Sequence, residues 1–499
     1  VLWILPEGYM LSFHFETWRF NNRSRLTVLA VVAFAIAAIL LGDAKPAQAL
    51  PPGKVKIMAI PAFARKYGLP CSACHTAWPE LNNFGQVFRD NGYQLMNDRD
   101  SPIWQNPSYF PISFRITPNW HREAADHQVI DSSPGCFNPC FSVAGKVTQS
   151  GFDLSGMDLW SAGTLYKNIS FVILPSSDST AVWHFEAAWI RFDNLKNNRW
   201  FNVRFGRFEL DNLISEKRFL FLSNNGGIYQ IYHFNTPGNS NNFGYGDNQI
   251  GVELAGHSAN SYTRYSVAVL SSNEGGVGFT NDVVPGGSPA SRTYDVNLAF
   301  SQAFDAKGLG FERVGAFAYI GQRPTYYQTA DGGTLPLVGL GNKGFYRVGF
   351  AGDLYIHNLE LLPLFMYGHD NAYLGTATSS QGALPIGAQA PSFYGGFIES
   401  HYYLNPQNVI LGRFEKINVG QQSFSSNPGS YGNVTAYSVG YRWYPIMFSR
   451  AGVALDGEYS RTKSIGIVPE SGDGTGAPPL FPTDGVWSSS IFFGIDFDF

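Results

Sequence analysis

The sequence predicts a mainly β chain, a transmembrane antiparallel β-barrel of about sixteen strands, which is an even number as in bacterial single-chain barrels. A small N-terminal helical segment precedes it. Three observations carry this expectation. Charged residues make up 14% of the chain, against roughly 25% in ordinary soluble proteins. Aromatic residues reach 15%, alongside 54 glycines. From Pro111 onward, apolar and polar residues alternate with the period of two that sends successive side chains to opposite faces of a strand. The length of 499 residues does not count domains by itself, because a large barrel runs to several hundred residues as one unit. A formal charge of −4 leaves no basic footprint of the kind phosphate backbones require, which excludes a nucleic-acid partner.

Residues 1–49 read as a signal peptide for export. Arg19, Arg23 and Arg25 form its positive flank, and an almost wholly apolar run extends from Leu26 to Leu41. Ala47, Gln48 and Ala49 supply the small-residue cleavage site, and Met10 is the expected start. The competing reading is an N-terminal anchor helix, but the run is short of the roughly 20 residues a comfortable spanning helix needs. No apolar stretch of comparable length follows Leu50, so the mature chain enters a membrane as strands.

Residues 50–108 have helix-compatible spacing and carry the one strong chemical motif, Cys71-Ser72-Ala73-Cys74-His75. C-x-x-C-H is the attachment signature of c-type haem. Two residues between the thiols let both sulfurs bond the vinyl-derived positions of one porphyrin edge, while the next side chain reaches the iron. The expectation is one haem c, with thioether bonds to Cys71 and Cys74 and His75 as proximal iron ligand. A redox dithiol and half a zinc site are the competing readings, weakened by the absence of a second C-x-x-C. Met96, just beyond the segment, is the first choice for distal ligand, since a His/Met pair raises the haem potential. His121 and His184 are its rivals, because strand parity turns both toward the lumen, where each is equally an ordinary lining residue. An open sixth position is the remaining alternative. Cys136 and Cys140 have three intervening residues and no following His. In an exported chain they read as a disulfide bracing the first loop, with a metal or redox site as the alternative.

Residues 109–499 read as the outer-membrane, porin-like barrel. Ile112, Phe114, Ile116 and Trp120 interleave with Ser113, Arg115, Thr117, Asn119 and His121. The same pattern sets Trp183, Phe185, Ala187 and Trp189 against His184, Glu186 and Ala188. It sets Phe201, Val203 and Phe205 against Asn202, Arg204 and Gly206, and Tyr346, Val348 and Phe350 against Arg347, Gly349 and Asp353. Tyr437, Val439, Tyr441 and Trp443 repeat it late in the chain. The last strand alternates Ile491, Phe493, Ile495, Phe497 and Phe499 with Phe492, Gly494, Asp496 and Asp498. Gly-, Asn-, Ser- and Pro-rich stretches at Asn235–Gly246, Val284–Ser291 and Glu470–Pro479 read as long loops at one rim. A soluble β-sandwich also alternates, but its apolar face is a core and not a band flanked by Trp and Tyr. Gly-Arg-Phe-Glu occurs at 206–209 and 412–415, too short to mark a duplication.

The haem segment resembles the fused monohaem cytochrome-porins that serve as outer-membrane Fe(II) oxidases in iron-oxidising bacteria. The likeness lies in the run from Pro61 to Cys71, then Cys74 and His75, Pro79, Leu81, Phe84-Gly85, Phe88 and Gly92-Tyr93. The chain departs from that family at Lys66-Tyr67-Gly68, where members usually read Gln-Thr-Gly, and this bears on the substrate more than on the build. The resemblance implies a haem segment that plugs or lines the barrel. It implies electron flow from an extracellular donor, Fe(II), to a periplasmic c-type cytochrome or copper protein, an Fe(II):cytochrome c oxidoreductase activity. Lumenal carboxylates such as Glu186 and Asp353 would attract Fe(II), or are solvated lining. The competing functions are an outward electron conduit, a solute porin whose plug carries haem, and a soluble periplasmic cytochrome.

Overall fold

The computed structural model describes residues 62–97, 100, 102–103, 111–130, 143–177, 181–211, 213, 220–223, 231–232, 234, 245, 248–271, 294–324, 326–328, 334–336, 342–369, 375–376, 392–419, 433–447, 452–465 and 485–498. The expected signal peptide, the Cys136–Cys140 pair and Phe499 lie outside the described residues.

Three short helices come first, α1 (Ala62–Tyr67), α2 (Cys71–Cys74) and α3 (Asn83–Asp90). Strands follow as β1 (Ile112–Ile130), β2 (Val143–Tyr166), β3 (Ile169–Ser177), β4 (His184–Phe192), β5 (Asn202–Glu209), β6 (Asn248–His257), β7 (Thr263–Ser271), β8 (Tyr294–Ala306) and β9 (Gly310–Pro324). The next are β10 (Tyr326–Gln328), β11 (Thr334–Pro336), β12 (Asn342–Ile356), β13 (Leu359–His369), β14 (Gly375–Thr376), β15 (Ser392–Asn405) and β16 (Asn408–Val419). The series ends with β17 (Val434–Met447), β18 (Gly452–Ser464) and β19 (Val486–Asp498). All but β10, β11 and β14, which make a small separate sheet, join one closed ring. Each ring strand pairs antiparallel with its chain neighbour in the ring, and β1 meets β19 with Trp120 opposite Phe493. The expected sixteen strands are therefore present, and closure rules out the β-sandwich.

Alternation decides which side chains face lipid. On β12, Phe350 is 60% exposed while Arg347, three residues away, is fully buried. On β17, Val439, Tyr441 and Trp443 point outward, and Ser438, Arg442 and Tyr444 are buried inside. An outward apolar face around a closed ring is what hydrocarbon demands, because every backbone polar group is then satisfied within the sheet. Among the described residues no helix is long and apolar enough to cross a membrane; the strands cross.

One expected face is corrected. Trp183, Phe185, Ala187 and Trp189 do not form a single outward row, because the β3–β4 register shifts between Leu174 and Pro175. Glu186 is the extra residue of this β-bulge, and a bulge reverses the parity after it. Phe185 stays outside at 59% exposure, whereas Ala187 is buried and Trp189 stacks inside on Tyr93.

The two rims differ. Lys167–Asn168 joins β2 to β3, His357–Asn358 joins β12 to β13 and Pro406–Gln407 joins β15 to β16. The opposite rim carries the long connections, among them 131–142, 210–247, 272–293 and 465–485. In outer-membrane barrels the short turns are periplasmic and the long loops extracellular. The lumen between them is packed. Leu210, Leu213, Ile231, Tyr232, Phe234 and Tyr245, from the β5–β6 connection, fold inward into one core with wall residues of β5, β7, β9, β12, β13 and β15–β17. Tyr245 thus corrects part of the Asn235–Gly246 stretch from rim loop to lumenal filling.

Candidate functional site

The haem motif is positioned by local hydrogen bonds. Pro70 stands at the N-cap of α2, and one helical turn brings Cys71 and Cys74 to the same side. His75 leaves the helix in an extended conformation (φ −122°, ψ 136°). Asn82 ties α2 to α3: its side-chain amide donates to the carbonyls of Ala73 (3.1 Å) and Ser72 (3.4 Å), and its Oδ1 accepts the Gly85 amide at 3.0 Å as an N-cap. The close approach explains Gly85, where a Cβ would lie 2.2 Å from the Cys74 carbonyl oxygen.

Cys71, Cys74 and His75 line one cavity, partly open to solvent. Its walls are apolar and aromatic, including Phe63, Tyr67, Leu81, Phe88 and Tyr93, and among the described residues Arg89 brings a permanent charge to the lining. Phe63 stacks on Tyr93 at 4.8 Å, and Phe88 meets both Phe63 and Tyr67 edge-on.

Burial, and after it the Asp498 carboxylate, pushes the Cys71 thiol up, and burial together with Cys71 pushes Cys74 up to about 11. Burial lowers the His75 imidazole below its ordinary range, opposed by the backbone carbonyls of Pro79 and Glu80. Nδ1 of His75 lies 3.0 Å from the Pro79 carbonyl and 3.2 Å from that of Glu80. Nδ1–H is then the donor and Nε2 keeps its lone pair, the tautomer a metal-ligating imidazole adopts. The residues present fit a covalently attached haem c.

The other sequence candidates are not gathered here. Met96 is exposed, at φ +60°, and does not line the cavity. His121 pairs with Glu123 at 3.1 Å on β1, and His184 is exposed at the start of β4. Glu186 is engaged with Ser176 (2.8 Å) and Asn248 (3.4 Å).

The segment is fastened across the lumen at its short-turn end. The Ala62 amide donates to Ser113 Oγ (2.9 Å) on β1, and Tyr444 on β17 donates to the Trp78 carbonyl (2.8 Å). Arg191 on β4 donates to the carbonyls of Arg89 and Asp90 at the C-terminal end of α3, and Arg264 on β7 pairs with Asp90 at 2.9 Å. Burial alone would raise the Asp90 carboxyl; Arg264, His257, Ser261 and Arg89 outweigh it and hold the group well below the usual carboxylate range. On the far wall, Tyr355 (β12) donates to Glu80 Oε1 at 2.9 Å and Tyr403 (β15) to Glu80 Oε2 at 2.7 Å. Sequence parity turns Glu360, Glu399 and His401 inward but carries no signal that they converge on Glu80, some 280 residues or more away in the chain for the first of them.

A closed, sixteen-stranded antiparallel barrel with an apolar exterior and an internal N-terminal plug defines an outer-membrane β-barrel of porin-like build, located in the bacterial outer membrane. Among solved structures, the chain is similar to the anion-selective porin from Comamonas acidovorans (10% identity, TM-score 0.44), covering 78% of this chain and 99% of that one. It is similar to Pseudomonas putida OprB (12%, TM-score 0.43), over 78% and 94%. It is also similar to the outer membrane channel DcaP of Acinetobacter baumannii (12%, TM-score 0.41), over 77% and 96%. No protein-family model and no curated protein matches the sequence.

Proposed function

We propose that this chain is an outer-membrane electron-transfer protein. It moves electrons between an extracellular donor, Fe(II) by the resemblance, and periplasmic carriers through one haem c. The observation that carries the proposal is the convergence of Cys71, Cys74 and His75 on one apolar cavity, with His75 Nδ1 already committed to backbone carbonyls. Cys71 and Cys74 would hold the haem by thioether bonds, His75 would be its proximal ligand, and Arg89 would pair with a propionate. When bound, the haem supplies a one-electron carrier whose potential follows its ligands, burial and neighbouring charge. The Pro79 and Glu80 carbonyls orient the imidazole and keep its tautomer. Phe63, Tyr67, Phe88 and Tyr93 exclude water and so favour the less charged redox state. Glu80, Trp78 and Asp90 hold the segment at the short-turn end, within reach of a periplasmic partner.

The sixteen-stranded wall is shared with solute porins, so a porin whose plug carries haem is the second reading. The packed lumen favours electron transfer over solute passage, since Tyr232, Tyr245 and Ile231 are fully buried where a channel would be wet. Anaerobic titration of detergent-solubilised protein with Fe(II) tests the proposal: the haem absorption bands are expected to shift to the reduced form. Absence of reduction at every pH tried, together with ion conductance in planar bilayers, would establish the porin reading instead.

A further inference from the structure

Beyond electron transfer, we propose that Glu80, Glu360 and His401 form a binding site for a first-row divalent cation, clamped between the plug and the barrel wall. The three residues are buried, and one ligand atom from each lies within 4.8 Å of the others. His401 Nδ1 is 2.9 Å from Glu360 Oε2 and 3.4 Å from Glu80 Oε2. Ligands on a common cation with bonds of about 2.0–2.2 Å stand roughly 3.0–3.4 Å apart. Two carboxylates and an imidazole suit Mn(II), Fe(II), Co(II) or Zn(II) better than a soft or an all-oxygen cation.

Proton counting gives an independent reason for a cation. Tyr403 Oη lies 2.7 Å from both Glu80 Oε2 and Glu360 Oε2, and Tyr355 Oη lies 2.9 Å and 3.0 Å from their other oxygens. Each hydroxyl has one proton, so each satisfies one of its two carboxylate contacts. The outer face of His401 is committed as well: Nε2 is 2.7 Å from Glu399 Oε1, and Glu399 Oε2 accepts from Arg413 at 3.0 Å. A carboxylate on the far ring nitrogen is the arrangement that orients a metal-ligating histidine. A cation would take the place of the Nδ1 proton that otherwise bridges His401 to Glu360. Three carboxylates against Arg413 and His401 leave this buried group net negative even when His401 is charged, and a divalent cation compensates that charge. Glu80 does not line the haem cavity, so the site stands whether or not haem is bound.

The test is Mn(II) binding to the full-length, detergent-solubilised protein, followed by loss of the free Mn(II) electron paramagnetic resonance signal, with elemental analysis of metals other than haem iron. The expected result is one ion per chain, competed by Zn(II). Glu360→Gln and His401→Gln should weaken it at least tenfold, and Glu123→Gln, on β1 beside His121, should not. Folding of each variant is checked by heat-modifiable gel mobility. Should wild type bind no Mn(II) or Zn(II) and carry neither, with an infrared protonated-carboxyl band lost in Glu360→Gln, the carboxylates share protons and the cation site is overturned.

Discussion

At position 75 the backbone carbonyls of Pro79 and Glu80 engage Nδ1 and fix the orientation of the ring. Asn82 and Gly85 hold the turn in which this happens, so both are sensitive. Asn82→Ala removes an N-cap and is expected to cost about 1 kcal/mol. Gly85→Ala forces α3 off the Cys74 carbonyl and is expected to cost roughly 1–3 kcal/mol; thermal unfolding of the plug and haem content per chain measure both. Met96 stands outside the cavity lining, so Met96→Ala is expected to leave the haem spectrum and potential unchanged. Loss of the low-spin bands would identify it as the distal ligand of the proposed haem. Asp90 gives a pH dependence. Its folded carboxyl lies below the unfolded value of about 3.9, so its contribution is complete above that value and lost as pH falls through the folded one. Acid below about pH 4 should loosen the plug in wild type, and Asp90→Asn should be looser at neutral pH but flatter against pH, as read by hydrogen exchange at α3. The C-x-x-C-H motif is legible in the sequence because five adjacent residues carry it. The Glu80–Glu360–His401 cluster was not, because barrel closure alone brings its members together.

At the scale of elements, parity was the readable quantity and bulges were its limit. The rows on β12, β19 and β17 as far as Trp443 face as their alternation predicts, since pairing without a shift preserves the period of two. In β4 a single extra residue turned Trp189 inward, where it became a wall of the plug. The repeated Gly-Arg-Phe-Glu shows the same limit: Phe208 is fully buried on β5, whereas Phe414 on β16 faces outward at 36% exposure. Identical words on opposite faces exclude a repeated role. The lipid face makes its own prediction. Phe350→Arg, on a residue 60% exposed to lipid, is expected to destabilise the inserted barrel by about 2–4 kcal/mol if it lies at mid-depth, measured by urea unfolding from lipid vesicles. Phe345→Leu, inside the lumen, should leave insertion intact.

For the whole molecule, composition and alternation predicted the barrel and its strand number, because hydrocarbon leaves closed sheets as the way for strands to cross. They did not predict the filling. The β5–β6 connection reads as ordinary loop, and its buried residues, Ile231, Tyr232 and Tyr245, are scattered too widely to show a period. Between that core and the N-terminal plug, the lumen is occupied by side chains fastened to the surrounding wall. Such filling has a consequence for the cell. A bacterium that crowds its outer envelope with ordinary wide barrels also admits antibiotics and bile salts; a barrel whose bore is partly taken up by its own chain leaves less room for such passage.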